Sequence, residues 1–336
     1  MEERIKRFAP SWFAGIMGTG IFALSSFLYS SYMPFLKSFS YVLFYLNLIL
    51  FYVFLIPWTL RWFMHTKEAI KDLYHPVLSN FYVTIGAAMI VISATYQVLF
   101  NNLTTSFAYW FIGSILTIFF SILTPYVMFK ESHVQLDHIS PAWFIPPVAL
   151  IVIPVSGSVF INMYSGIFKE FIILLNYFGL GAGFFLFIIL SAISMYRFIL
   201  HHPLPNVMSP TVWVNLGPIG AGTIALINLV KFSPFITVKE PFFIFGFIFW
   251  GFGIWWLIMA ISLTLHYIKR MKIPFTLSWF AFIFPLGAYV ASTHSISMMF
   301  KIKLIDYIGF GLYFLLAFIW LITFINVTIF VFRKKQ

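Results

Sequence analysis

Cysteine is absent from the 336 residues, which excludes disulfides, thiolate metal sites and thiol nucleophiles. Charge is scarce as well: 9% of residues are Asp, Glu, Lys or Arg, against about a quarter in a soluble domain. Acidic residues are the scarcest of all, nine in total. Glu2, Glu3, Glu68, Asp72, Glu131, Asp137, Glu170, Glu240 and Asp306 fall in the leading segment, in loops or at helix ends, and none falls mid-span. Cation and proton carriers usually need intramembrane carboxylates as relays or ligands, so their absence argues against a cation channel. No H-E-x-x-H and no pair of mid-span histidines is present, so no haem, zinc or other cofactor is expected. No Ser/His/Asp set can be assembled inside apolar segments, which makes an enzyme the weaker class. Only His294 lies clearly within an apolar segment, and His201–His202–Pro203 reads as a loop. The run Met17-Gly18-Thr19-Gly20 lacks the Lys-Ser/Thr of a phosphate loop and any strand before it, so no nucleotide is expected there.

What is present is apolar. Hydrophobic residues make up 62% of the chain and the mean hydropathy is +0.98. No soluble core hides that much apolar surface, so the solvent is lipid. About 20 apolar residues cross the hydrocarbon as a helix. On that rule ten spans are expected, near 10–31, 38–61, 78–100, 107–129, 141–162, 171–198, 211–230, 241–268, 274–298 and 305–331. The first resembles the later ones and no small-residue cleavage site follows it, so it reads as a span and not a signal peptide. The whole chain, 1–336, is expected to be one transmembrane domain. Its net charge of +11 reflects basic loops on one membrane face and not a nucleic-acid partner. Lys and Arg number 14 on the side of the N-terminus and 6 on the other, which places both termini in the cytoplasm. The stretch from Thr66 to His75 reads as a solvated connector.

A repeat runs through the odd spans. Pro10, Pro76, Pro141, Pro210 and Pro274 open them at spacings of 66, 65, 69 and 64 residues, each followed by an aromatic. Odd spans carry small, hydroxyl and helix-breaking residues, among them Gly18, Thr19, Gly20, Gly86, Pro146, Pro147, Pro154, Gly157, Gly217, Pro218, Gly220, Pro285 and Gly287. Glycine and proline in a span free backbone groups that protein or a wet cavity must satisfy. Close helix packing at small residues explains some of them as well. Even spans are richer in Phe, Leu and Ile. The alternation predicts odd helices lining a path and even helices facing lipid. A neutral path walled by hydroxyls, amides and helix ends suits a small anion or neutral solute.

Five segments then carry a resemblance over essentially the whole chain: Phe13-Ala-Gly-Ile-Met-Gly-Thr-Gly20; Asp72-Leu-Tyr-His-Pro76 with Asn80-Phe81; Pro141-Ala-Trp-Phe-Ile-Pro-Pro147 with Pro154-Val-Ser-Gly157; Leu216-Gly-Pro-Ile-Gly220; and Trp279-Phe-Ala-Phe-Ile-Phe-Pro-Leu-Gly287. The chain resembles the tellurite-resistance/dicarboxylate transporter family, which includes malic acid transport proteins, sulfite efflux pumps and slow anion channels. The resemblance implies an all-α integral membrane fold, ten transmembrane helices as five helical hairpins around a central pore, assembled as a homotrimer in the cell membrane. It implies a malate-like dicarboxylate or inorganic anion as cargo, either by channel or by proton-coupled carriage. It also implies a pore-blocking phenylalanine on the ninth span, matched by Phe284. That residue stands ten positions past Pro274, where the other repeats have Gly20, Gly86, Ile151 and Gly220. The first and last motifs sit closer to the malate and sulfite branch, but Ala221 stands where sulfite pumps often carry Gln.

Overall fold

The computed structural model describes residues 2–130, 135–270 and 272–332. Glu131 and the basic run Arg333, Lys334, Lys335 lie outside the described residues. A short helix α1 (Glu2–Lys6) precedes α2 (Trp12–Leu28) and α3 (Phe35–Met64), and α4 (Thr66–Leu73) leads to α5 (Thr84–Phe100) and α6 (Leu103–Lys130). Then follow α7 (Ile145–Gly157), α8 (Gly166–Leu200), α9 (Leu216–Phe232), α10 (Glu240–Arg270), α11 (Phe280–Phe300) and α12 (Lys303–Phe332). No strand occurs among the described residues. In a bilayer only a helix closes all its backbone hydrogen bonds within one segment, and the apolar composition selects it.

Among the described residues, eight helical stretches are long and apolar enough to cross a membrane. Two of the expected spans are not among them. Trp12–Leu28 is a shorter apolar helix. Phe280–Phe300 is 21 residues long, but Ser292, Thr293, His294, Ser295 and Ser297 dilute its hydropathy.

The repeat prolines mark irregular backbone. Tight 3₁₀ turns at Leu78–Phe81, Pro141–Phe144, Asn206–Asn215 and Leu277–Trp279 lead into α5, α7, α9 and α11. A proline at a helix start lacks only an N–H that has no partner there. Two helices end in the left-handed region, at Asn101 (φ 49°) and Lys301 (φ 55°). Each reverses the chain within two residues, so α6 packs back along α5 and α12 along α11.

Burial alternates along the chain. In the most apolar 18-residue window of each stretch, 72% of Leu78–Phe100, 89% of Pro141–Asn162 and 83% of Asn206–Phe232 is buried. The stretches between them fall to 28% for Phe35–Met64, 39% for Leu103–Lys130, 33% for Gly166–Leu200 and Glu240–Arg270, and 17% for Lys303–Phe332. α2 is buried continuously from Ile16 to Ser26 and α11 from Phe280 to Thr293. The expected division into inner and outer helices is therefore present. The inner helices touch one another in the cyclic order α2, α5, α7, α9, α11 and back to α2.

The connector after α3 is less solvated than expected. Ala69 and Leu73 of α4 are buried, and Asp72 meets the buried Arg61 at 2.6 Å. Glu68 pairs with Lys6 at 3.2 Å. Its carboxyl is held below the ordinary range by its own backbone N–H first and the Lys6 ammonium next. This connector is docked on one face because its amphipathic pattern gives it an apolar side to bury.

Candidate functional site

All five inner helices contribute to one cavity of about 200 Å³. On α11 the lining residues Phe284, Ala288, Ala291 and Ser295 form one stripe at helical spacing, with Phe284 nearest the helix start. Ile21 on α2, Val152 on α7 and Ala221 on α9 are the first lining residues of their helices. The phenyl ring therefore stands at one end of the cavity, 6% exposed. The rest of the wall is aliphatic except for Gln97, Asn228 and Ser295. No Lys, Arg, Asp, Glu or His lines it.

The glycines singled out from the sequence do not line this cavity. Gly18 faces Ile283 of α11, Gly217 faces Val148 of α7, and Gly287 faces Ile21 of α2. A Cβ on Gly220 would stand 2.5 Å from the Ala288 carbonyl carbon. Gly20 faces Val91 and Asn47, Gly157 faces Trp110 and Asn176, and Gly86 lies against Gly113 and Thr117 of α6. Each sits where two helices approach closely, the packing role of small residues in membrane bundles. In α2 and α9 the wall is formed one position further along, by Ile21 and Ala221 beside Gly20 and Gly220. One residue is about 100° of helix rotation, enough to turn a side chain from lumen to neighbour. Thr19 also turns outward, accepting from the Trp320 indole at 3.1 Å.

The prolines Pro146, Pro147, Pro154, Pro218 and Pro285 are all buried, and none is a lining residue. Carbonyls around them are answered by protein. Ser121 donates to Pro146 O at 3.4 Å. At the end of α7, five successive carbonyls accept side-chain donors: Ile153 from Trp110 Nε1, Pro154 from Ser158 Oγ, Val155 from Asn228 Nδ2, Ser156 from Gln97 Nε2, and Gly157 from Asn176 Nδ2. A helix end leaves carbonyls without intrahelical partners, and amides drawn from three neighbouring helices, α5, α8 and α9, serve here. Several span hydroxyls are committed to their own helices, as with Thr95 to Val91 O, Thr223 to Ile219 O and Ser295 to Ala291 O. Of the expected hydroxyls, amides and helix ends, the wall of this cavity holds two amides and one hydroxyl in an otherwise apolar surface. Gln97 is a polar residue within the expected span 78–100. Asn228 and Asn176 were missed, and their isolated position in apolar runs was the only available signal.

A second polar group lies behind the far end of the cavity. His294 Nδ1 is 2.9 Å from Asp306 Oδ1, and Tyr32 donates to Asp306 Oδ2 at 2.7 Å. The Tyr29 ring meets the His294 ring edge-on at 5.1 Å. Asp306 thereby joins the α2–α3 loop, α11 and α12. Hydrogen bonding to Asp306, the first cause, pushes the Tyr32 hydroxyl up to about 12. A raised tyrosine contributes fully below its ordinary value of 10.0 and is lost as pH rises through the raised one, so this tie is intact at neutral pH. Asp306→Leu is expected to lower the thermal midpoint by the equivalent of about 2–4 kcal/mol, since two partners lose a charged acceptor. A melting curve in detergent equal to wild type would show that the tie carries no stability.

At the other end of the bundle His201 Nε2 meets Asp137 at 2.8 Å, and the His201 backbone N–H donates to Arg197 O at the end of α8. No group of three or more potential metal ligands occurs among the described residues.

The SLAC1 family pattern, described as voltage-dependent anion channel, matches residues 7–328. An uncharacterized transporter of Methanocaldococcus jannaschii is 56% identical over 96% of this chain and 93% of its own length. The sulfite efflux pump SSU1 of Arthroderma otae is 27% identical over 95% of this chain and 90% of the pump. A malic acid transport protein of Schizosaccharomyces pombe is 25% identical over 92% of this chain and 75% of that protein. With its all-helical, multi-span architecture and a match over nearly its whole length, the chain belongs to the SLAC1-type, tellurite-resistance/dicarboxylate transporter family of membrane proteins.

Proposed function

We propose that this protein conducts small anions through a central pore gated by Phe284. In this reading all ten apolar helices cross the membrane as five hairpins, and α2, α5, α7, α9 and α11 surround the pore. The assembly is a homotrimer in the cell membrane, with both termini cytoplasmic as the excess of Lys and Arg on that side favours. The observation that carries the reading is the cavity to which every inner helix contributes and at whose end Phe284 stands. A hydrophobic constriction of this kind controls flow by excluding water. The names of relatives, a sulfite efflux pump and a malic acid transport protein, favour oxyanions or dicarboxylates as cargo and a transporter over an enzyme. Ala221, where sulfite pumps often carry Gln, lies on the cavity wall and weighs toward the dicarboxylate. In this scheme Gly18, Gly217, Gly220 and Gly287 let inner helices approach closely enough to keep the pore narrow, while Gly86 and Gly157 seat outer helices against them.

Proton-coupled carriage is the second reading, favoured by the His294–Asp306 pair near the cavity. One experiment separates them. Purified protein in liposomes is given malate, sulfite, nitrate and chloride, with and without a proton gradient. A conduit equilibrates its preferred anion without the gradient. Accumulation above equilibrium only with a gradient would establish the carrier, and no flux of any anion would refute both.

A further inference from the structure

The polar part of the cavity wall has an uneven hydrogen-bonding character. Gln97, Asn228 and Ser295 are its polar side chains. Gln97 Nε2 donates to Ser156 O at 2.8 Å and to Ser106 Oγ at 2.9 Å, which uses both of its N–H bonds. Asn228 Nδ2 donates to Val155 O at 2.8 Å, and Ser295 Oγ donates to Ala291 O at 3.1 Å. The orientation of the two amides is chemically determined. Val155 and Ser156 offer only carbonyl oxygens, so a flipped amide would set oxygen against oxygen. Among the described residues no protein group donates to Gln97 Oε1 or Asn228 Oδ1. The collar therefore offers three acceptor atoms and a single remaining N–H, that of Asn228.

An anion without protons is itself only an acceptor. Chloride or nitrate finds one N–H in this collar and otherwise faces oxygen lone pairs and aliphatic carbon. A solute with an O–H beside an oxyanion matches better, giving its proton to an amide oxygen and accepting from the Asn228 N–H. We propose that Gln97 and Asn228 select, among small anions, those that bring their own O–H donor, and hence hydroxy acids over their deoxy counterparts. This rests on the anion-conduit reading above. It assigns substrate discrimination to two amides whose other duty is to cap the end of α7.

Malate and succinate differ by one hydroxyl and test the idea directly. Flux of each is measured at neutral pH into liposomes holding the full chain, with chloride alongside. Wild type is expected to favour malate by roughly two- to tenfold, the ratio that one net hydrogen bond carries. The double variant Gln97→Met, Asn228→Leu is expected to bring the ratio to about one. A wild-type ratio of one or less overturns the proposal without need of any variant. A folded double variant that keeps the wild-type ratio overturns it too. If chloride crosses while malate shows no advantage, the selection fails and the conduit stands. If no anion crosses, even with Phe284→Ala, the conduit reading itself fails and takes this proposal with it.

Discussion

Anion flux through Phe284→Ala in liposomes is expected to exceed wild type by roughly ten- to hundredfold, since each 1.36 kcal/mol taken from a barrier is worth about tenfold in rate. The barrier removed is one of desolvation. At the level of Phe284 the wall is otherwise Ile21, Val152 and Ala221, none of which can replace an anion's water. In the proposed gate the phenyl ring narrows this end of the cavity, and a narrow apolar neck empties of water. Alanine restores room for water without adding a polar group. Because one side of the ring faces a cavity, the truncation should cost less stability than the ~3–5 kcal/mol typical of a fully packed phenylalanine. Phe282 supplies the control. It is buried two positions away, in edge contact with Trp213 at 5.6 Å and Trp279 at 5.9 Å, and it does not line the cavity. Phe282→Ala should lower the melting temperature and leave conduction near wild type. Equal flux from wild type and a folded Phe284→Ala would remove the gate from this residue.

Much of the helical layout was legible because it depends on local composition. Runs such as 38–61 and 305–331 are apolar over their full length, and helices lie over them at Phe35–Met64 and Lys303–Phe332. The inner and outer roles were legible too, since small and hydroxyl residues gather on helices that pack on every side. Phe284 was singled out by the family resemblance, and its ring is larger than Gly20, Gly86, Ile151 and Gly220 at the same repeat position. The direction each glycine faces was not legible. Gly20 and Ile21 are neighbours in sequence, yet one contacts Asn47 and Val91 while the other lines the cavity. That choice depends on the rotation of α2 against its neighbours, which no local pattern encodes. The amides were hidden for the same reason. Asn228 finds its partner on Val155 and Gln97 finds its own on Ser156, pairings set by how helices α5 and α9 meet the end of α7.

Gly220→Ala and Gly86→Ala should each destabilise the fold by about 3 kcal/mol, the upper part of the range for overpacking a core, whereas Gly246→Ala should be nearly neutral. The neighbours decide this order. A Cβ on Gly220 would lie 2.5 Å from the Ala288 carbonyl carbon and 2.6 Å from the Tyr289 nitrogen. On Gly86 it would lie 2.7 Å from both Gly113 O and the Thr117 nitrogen. These are backbone atoms in a second helix, so no side chain can rotate aside and the two helices must part. Gly18 presents an intermediate case, since its nearest atom is a methyl of Ile283 at 3.0 Å. At Gly246 the nearest atom is 3.8 Å away, an ordinary contact. Thermal unfolding in one detergent would rank the four variants. Gly220→Ala should also alter conduction, because Ala288 lies one helical turn from Phe284 on the cavity stripe and moves with any separation of α9 from α11. Equal melting of Gly220→Ala and Gly246→Ala would mean that this approach carries no stability, and the glycine would have to be explained by the path instead of the packing.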